Sequence, residues 1–368
     1  MSGEIGGGAG YGGSVSSADA DTTVPSGNGS ALVDTINNAS AGETIYVPDA
    51  QYNIDNIDLS TNDVTVAGGR GQSGSGSSQS QSLLVTDGGS TSASPGPELV
   101  GGGGNQSRPI TVTGSNCRFT GLRFKGPDTT WEGEAGSNDY ASVAIEQNGG
   151  SDLQVDNCEG YGWSAVFVAF HGGKGGHVHH CSIHDNPGAS QGYGVDCGQD
   201  SGLALIEKNY FNRNRHSIAA GGNDNPGYEV RNNIFGPVNY NHAIDQHGPD
   251  PAGGTLLIHN NEFRATKQSA NSVQDGGVDC IGIRGRPSDK CDVYDNWFHS
   301  SDKGRTVQQT GEPKIDQRGR YDGSAANKGA LVNMTIRNNS FGPSQPSGSI
   351  GPQVSGGSSP VNGDSFSV

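Results

Sequence analysis

Residues able to move a proton or hold an acidic group crowd into one stretch of this 368-residue chain, Asn209–Arg286. Arg215 and His216 come first, then His242, Asp245 and His247, then Arg284 and Arg286. An imidazole titrates near neutral pH and serves as general base or general acid. A guanidinium grips a carboxylate through two parallel hydrogen bonds. Together these types suit β-elimination from a uronic acid. That reaction needs a base for the C5 proton, a cation to neutralise the adjacent carboxylate, and an acid for the leaving oxygen. The candidate catalytic residues are His216, His242, Asp245, His247 and Arg284, with Arg215 and Arg286 as substrate contacts.

The elements that must position them announce themselves as a repeat. Ile206–Phe211, Val230–Phe235 and Ile258–Phe263 are three versions of one phrase, with Asn209, Asn233 and Asn261 at its fourth position. Cys158, Cys181, Asn296 and Asn339 occupy the same place in further copies. The spacing has a tight minimum and a variable excess, as expected for coils of three short strands with loops of different length inserted at a corner. Stacked coils bring like residues to within about 4.8 Å, so Asn on Asn forms an internal amide ladder. Cys158 and Cys181 are expected as stacked buried thiols, and Cys117, Cys197, Cys280 and Cys291 as core filler.

Each phrase is followed by a second apolar run, and these runs align. Val168–His171, Val195–Gly198, Ile218–Gly221, Ile244–His247 and Ile281–Arg284 fall in register. One column then reads His171, Gly198, Gly221, His247, Arg284. A second, two residues earlier and on the same face, reads Ala169, Asp196, Ala219, Asp245, Gly282. Small residues between the reactive ones leave a groove. His171, Asp196, Trp163 and Tyr193 join the substrate-binding candidates. His216 and His242 fall two positions before the strand isoleucine, where strict alternation points inward, so a strand-entry corner is expected there. Asp196 and Asp245, two rungs apart and hence roughly 9–10 Å, offer a competing mechanism, that of an inverting glycoside hydrolase.

These phrases, with Ala67–Gly71 and Gly121–Gly126, resemble the pectate-lyase-like right-handed parallel β-helix family over roughly residues 31–341. The resemblance implies an all-β, right-handed, single-stranded parallel β-helix. It does not fix the reaction, because the fold carries lyases, glycosidases, epimerases and inert phage spikes. No match to the family's lyase base motif or full set of calcium carboxylates is seen, nor to the adjacent-aspartate pair of its polygalacturonases. No metal ligands are assigned; Asp196, Asp245 and Asp279 are the carboxylates that a Ca2+ cofactor would use.

Composition agrees with a thin-cored solenoid: only 30% of residues are hydrophobic and 62 are glycine. Acidic residues outnumber basic ones 38 to 22, for a net charge of −16, which argues against nucleic acid as a partner and fits a halophilic source. No apolar run is long enough to span a membrane. The division expected is a flexible N-terminal arm over 1–25, the β-helix over 26–341 and a C-terminal tail over 342–368. Loop excursions are expected near 68–107 and 299–330, the latter a local basic patch. A short helix over Ala31–Ala39, with Ser30 as N-cap, is suited to plug the open end. His179 and His180 should face opposite ways and hold no metal. Met1–Ser17 lacks the pattern of a signal peptide.

The expected function is an extracellular protein that binds an acidic polysaccharide or cell-surface glycan and cleaves it by β-elimination. The rival from another class is a non-catalytic receptor-binding or structural virion component, tail-spike-like and homotrimeric or virion-attached.

Overall fold

A computed structural model describes the chain outside residues 1–3, 73–95, 102–107, 128–141, 187, 189–190, 199–200, 249–250, 266–279, 302–305, 311–318, 321–330 and 354–368. The coil begins in a first sheet and turns into a third. It returns along a second sheet and then re-enters the first one level up. Coil by coil this builds sheets of eleven, ten and ten strands, paired in parallel except where Gly319–Arg320 runs antiparallel to Val307–Thr310. One coil shows the pattern: Ser151–Asp156 in the first sheet, Glu159–Tyr161 in the third, Val166–Phe170 in the second, then Lys174–His179 back in the first.

The turn from first to third sheet explains the repeated phrase. Its fourth residue is buried in every copy but the last, where Asn339 is half-buried, and the residue before it adopts a left-handed backbone: Asn157, His180, Lys208, Asn232, Asn260, Asp295 and Asn338 all lie at φ between 51° and 55°. That region is costly for most side chains and tolerated by Asn and Asp, which fill five of these seven positions. Behind the turn the amide ladder runs continuously. Asn209 Nδ2 donates to Asn233 Oδ1 at 3.1 Å, and the links to Asn261, Asn296 and Asn339 are each 3.0 Å. Cys181 joins through its backbone amide, which donates to Asn209 Oδ1 at 2.9 Å. Beside the ladder, Phe211, Phe235, Phe263, Phe298 and Phe341 stack with centroids 4.5–5.3 Å apart. All six cysteines are buried free thiols.

The plug is a helix over Gly29–Asn37 with Leu32 and Ile36 buried. Its cap is Asn28, whose Oδ1 accepts from the Ala31 amide at 3.0 Å; Ser30, expected in that role, lies inside the helix. At the other end Asn37 Oδ1 accepts from the Asp58 amide at 2.8 Å, satisfying a donor on the edge strand Ile57–Leu59.

Residues 5–13 dock as a strap along the coil. Ile5 is buried against Tyr210 and Ile234 outside the third sheet. The Gly8 amide donates to Asn157 Oδ1, Arg118 to the Gly13 carbonyl, and the Tyr11 hydroxyl to Asp156. Thr22–Thr23 opens the first sheet. Beneath the strap His177 and His179 share a face, with centroids 4.0 Å apart. The left-handed turn at His180 swings its ring back, so Nδ1 of His179 and of His180 lie 2.7 Å apart, not on opposite faces. The tail returns too: the Gly351 amide donates to the Asp295 carbonyl, and Asn260 Nδ2 to the Ser349 carbonyl. Of the two loop excursions, Glu98–Gly101 and Val307–Thr310 pair as rungs. Asp279 and the side chains of the basic patch lie outside the described residues.

Candidate active site

The second sheet aligns as the repeat requires. Val168, Val195, Ile218, Ile244 and Ile281 are successive partners, and Ala169, Asp196, Ala219, Asp245 and Gly282 form the neighbouring column. Alternation breaks once, at the strand entry. Phe167 and Val168 both enter the main core, while Val166 and Ala169 join a separate cluster on the outer side with Val143, Ala165, Tyr193 and Ala219. His216 pairs in register with Tyr193, which pairs with Val166. The extra inward residue therefore turns His216 to the same outer side as the Asp245 column. This is the physical resolution of the inward direction that alternation predicts.

Asp245 is the centre. Its side chain is 0% exposed. Arg284, one rung on, donates Nε to Oδ1 at 2.8 Å and Nη2 to Oδ2. His216 Nε2 lies 3.2 Å from Oδ2, His247 Nε2 3.0 Å from Oδ2, and His242 Nδ1 3.7 Å from Oδ1. His216 Nδ1 donates to the His242 carbonyl at 2.9 Å, and the two rings stack at 5.8 Å. All five candidate catalytic residues thus converge. His247, with its side chain 39% exposed, is the most exposed of the five.

Burial pushes the His216 imidazole down to about 3, so it is neutral at neutral pH. Burial alone would raise the Asp245 carboxyl. The surrounding His216, His247, His242 and Arg284 reverse that and hold it well below the usual carboxylate range. Tyr193, its ring 5.4 Å from that of His216, is pushed up to about 12 by burial. Arg215 and Arg284 pull it down, while Asp196 and Asp245 push it up, which places the phenol among those four charges.

A second constellation continues along the same outer face. His171 Nδ1 lies 2.9 Å from Glu146 Oε1 and its Nε2 3.0 Å from Asp196 Oδ2; Arg108 Nη1 donates to the same Glu146 Oε1. Hydrogen bonds to Asp196 and Glu146 raise His171 to about 9, so it is an imidazolium at neutral pH. Nothing in the sequence pattern beyond the column itself pointed to Glu146, because its partner Arg108 sits on a coil with no recognisable phrase.

Two glycines make room for imidazoles. A Cβ on Gly282 would come 2.9 Å from His242 Cδ2, and one on Gly198 would come 2.5 Å from His171 Cδ2. The small residues of the two columns are therefore seats for rings as well as the floor of a groove. Trp163 is not part of that face: its ring is fully buried and its Nε1 donates to the Phe124 carbonyl at 3.3 Å. Arg286 contributes a backbone carbonyl that accepts from the Ala252 amide.

Among the described residues, His216, His242 and Asp245 each place one ligand atom within 4.8 Å of the others. Asp196 is two rungs from Asp245 and paired with His171, so the described members of the carboxylate set do not meet around one point.

An alginate lyase from Paenibacillus sp. str. FPU-7 superposes with a TM-score of 0.58 at 15% identity, covering 88% of this chain and 96% of that one. The fold is the pectate-lyase-like right-handed parallel β-helix. Two other solved structures match less well. The catalytic unit of an α-1,3-glucanase from Streptomyces thermodiastaticus strain HF3-3 has a TM-score of 0.39 at 16% identity, covering 95% of this chain and 68% of that one. A PL6 family alginate lyase has 0.29 at 11%, covering 91% and 52%. No protein-family profile and no curated protein sequence matches the chain. In this β-helix the face carrying Asp245 is the outer face of the second sheet, and no described helix is long and apolar enough to cross a membrane.

Proposed function

We propose that this β-helix binds an acidic polysaccharide along the outer face of its second sheet and cleaves it by β-elimination. The observation that carries the reading is the convergence of His216, His242, His247 and Arg284 on the buried carboxylate of Asp245. Asp245 Oδ2 lies 3.0 Å from His247 Nε2, so Nδ1 is the ring nitrogen assigned to the substrate's C5 proton. Tyr193 keeps its proton at neutral pH and is the donor to the leaving oxygen. Arg215 lies beside Tyr193 and neutralises the substrate carboxylate as the C5 carbanion develops. Arg284 has a different part from the one its sequence position suggests. With Nε and Nη2 committed to Asp245, it fixes the carboxylate and does not clamp substrate.

The inverting pair of Asp196 and Asp245 is disfavoured on the same geometry. An inverting enzyme needs one carboxylic acid protonated beside the leaving oxygen and a water between the two groups. Asp245 is held ionised and has no exposed surface from which to meet a sugar.

The test is incubation with a panel of uronate polymers, alginate and pectate among them, followed by the ultraviolet absorbance of the unsaturated uronate product. Wild type is expected to generate product and His247→Ala to lose about 10²-fold or more in rate, the usual range for a lost general base. Binding without product from any polymer, with the two proteins alike, would leave a glycan-binding protein and remove the catalytic reading.

A further inference from the structure

We infer that His216, His242 and Asp245 form a binding site for a first-row divalent transition metal ion, with Zn2+ the fitting member. His216 is the residue that points to it. Its side chain is completely buried, and its Nδ1 is committed as donor to the His242 carbonyl at 2.9 Å. With the Nδ1 proton committed there, Nε2 is the ring nitrogen open to a ligand, and that atom has no hydrogen-bond partner. Yet Nε2 lies only 3.2 Å from Asp245 Oδ2. A buried lone pair beside a carboxylate oxygen is unfavourable unless a cation lies between them.

The two atoms are close but not aligned for a hydrogen bond, which is the relation of two ligands aimed at a common point. Four ligands at roughly 2.0–2.1 Å around a tetrahedral zinc ion are about 3.3 Å apart. His216 Nε2 to Oδ2 is 3.2 Å and His242 Nδ1 to Oδ1 is 3.7 Å, and one atom from each residue falls within the same 4.8 Å. Two imidazoles and one carboxylate are donors for zinc and its neighbours rather than for Ca2+, which takes six to eight oxygens. The surroundings fit as well. Arg284 Nε takes one lone pair of Asp245 Oδ1, leaving the second for a metal, and the guanidinium fixes the carboxylate as outer partners of metal ligands do. Gly282 leaves the space in which the His242 ring lies.

The site is separate from the elimination chemistry in what it requires. Metal binding stands or falls whether or not His247 abstracts a proton, so it is measured without substrate. Untagged full-length protein, stripped with chelator and dialysed, is titrated with Zn2+ against a chromogenic chelator, and in parallel with Co2+ followed by visible absorbance. The expected result is one equivalent bound, intense cobalt bands of a low-symmetry four- or five-coordinate ion, and a melting temperature that rises with Zn2+ but not with Ca2+. His216→Gln and His242→Gln should each weaken binding by about 100-fold, the upper end of what even outer-shell changes cost. If His216→Gln does not fold, the His242→Gln titration decides the same question. His180→Gln, in the other histidine cluster, should leave the equivalent intact. The inference is overturned if the wild type holds no Zn2+ or Co2+. It is equally overturned if His242→Gln binds as wild type does, if His180→Gln abolishes the equivalent, or if nitrogen NMR shows His216 carrying protons on both nitrogens in the metal-free protein.

Discussion

Arg284 closes on Asp245 across one rung of the second sheet, Nε to Oδ1 at 2.8 Å and Nη2 to Oδ2, and this pair is what allows a carboxylate to sit fully buried among three histidines. Removing one partner of a buried pair costs more than removing both, because the other charge is left uncompensated. Arg284→Met should destabilise the protein by about 3–5 kcal/mol in urea unfolding. The double variant Arg284→Met/Asp245→Asn should recover a large part of that. Equal losses in the single and double variants would mean that the pair does not neutralise Asp245.

The seat under His242 gives a second prediction. Gly282→Ala puts a methyl group 2.9 Å from the ring, closer than such contacts occur, so the imidazole must move. Position 282 has no left-handed backbone, and alanine is otherwise compatible with a strand. The variant should fold with near-normal stability while losing activity on uronate polymer by about 10-fold or more, as sub-ångström misplacement does at catalytic sites. A crystal structure with His242 unmoved would contradict the role given to the glycine.

pH dependence follows from His171 and His184. Hydrogen bonds to Asp196 and Glu146 raise His171 to about 9 from its ordinary 6.5. For His184, burial pulls the other way, but Asp185 and Glu159 win and it too rises to about 9. A pKa raised by folding contributes stability that is complete below the unfolded value and lost as pH rises through the folded one. Thermal stability should therefore fall between about pH 6.5 and 9, and fall less in His171→Gln. A melting temperature flat across that interval would contradict both assignments.

The ladder predicts a position-dependent cost. Asn261 Oδ1 accepts from both the backbone amide and Nδ2 of Asn233, and its own Nδ2 donates to Asn296. Asn261→Ala leaves the buried Asn233 backbone amide without its partner, worth about 1–3 kcal/mol, and takes one of two donors from Asn296 Oδ1, which keeps the backbone amide of residue 261. Asn339, at the last described rung and half-buried, should cost distinctly less when changed to Ala. Urea unfolding of the two variants makes the comparison.

Cys158 and Cys181 stack as free thiols, and the other four cysteines are buried free thiols as well. Reductant should leave the melting temperature unchanged. A thiol reagent should label the native protein slowly and all six cysteines only after unfolding. A shift on reduction would mean a disulfide that this structure does not contain.

Much of the architecture was legible because a solenoid writes its contacts as a repeat. Asn209, Asn233 and Asn261 touch in space because they recur in the chain, and Asp245 and Arg284 could be placed one rung apart by the same count. What escaped the sequence was anything that breaks the period. His216 faces outward only because alternation breaks at the strand entry, as Phe167 and Val168, both turned inward two rungs down, show. Trp163 looked like a groove aromatic but lies inside, where a glycine at 101 leaves it room. The strap over 5–13 has no repeat at all; its docking depends on single contacts such as Tyr11 to Asp156. The roles of Arg284 and His180 depended on side-chain direction, which spacing does not carry.

How the glycosidic bond breaks can be read from product mass. A defined oligouronate digested by the protein should give two fragments whose masses sum to that of the parent, one bearing an unsaturated end, and both should form about 10²-fold or more slowly with His247→Ala. Fragments whose masses sum to the parent plus one water would mean hydrolysis, and would contradict elimination from the Asp245-centred site.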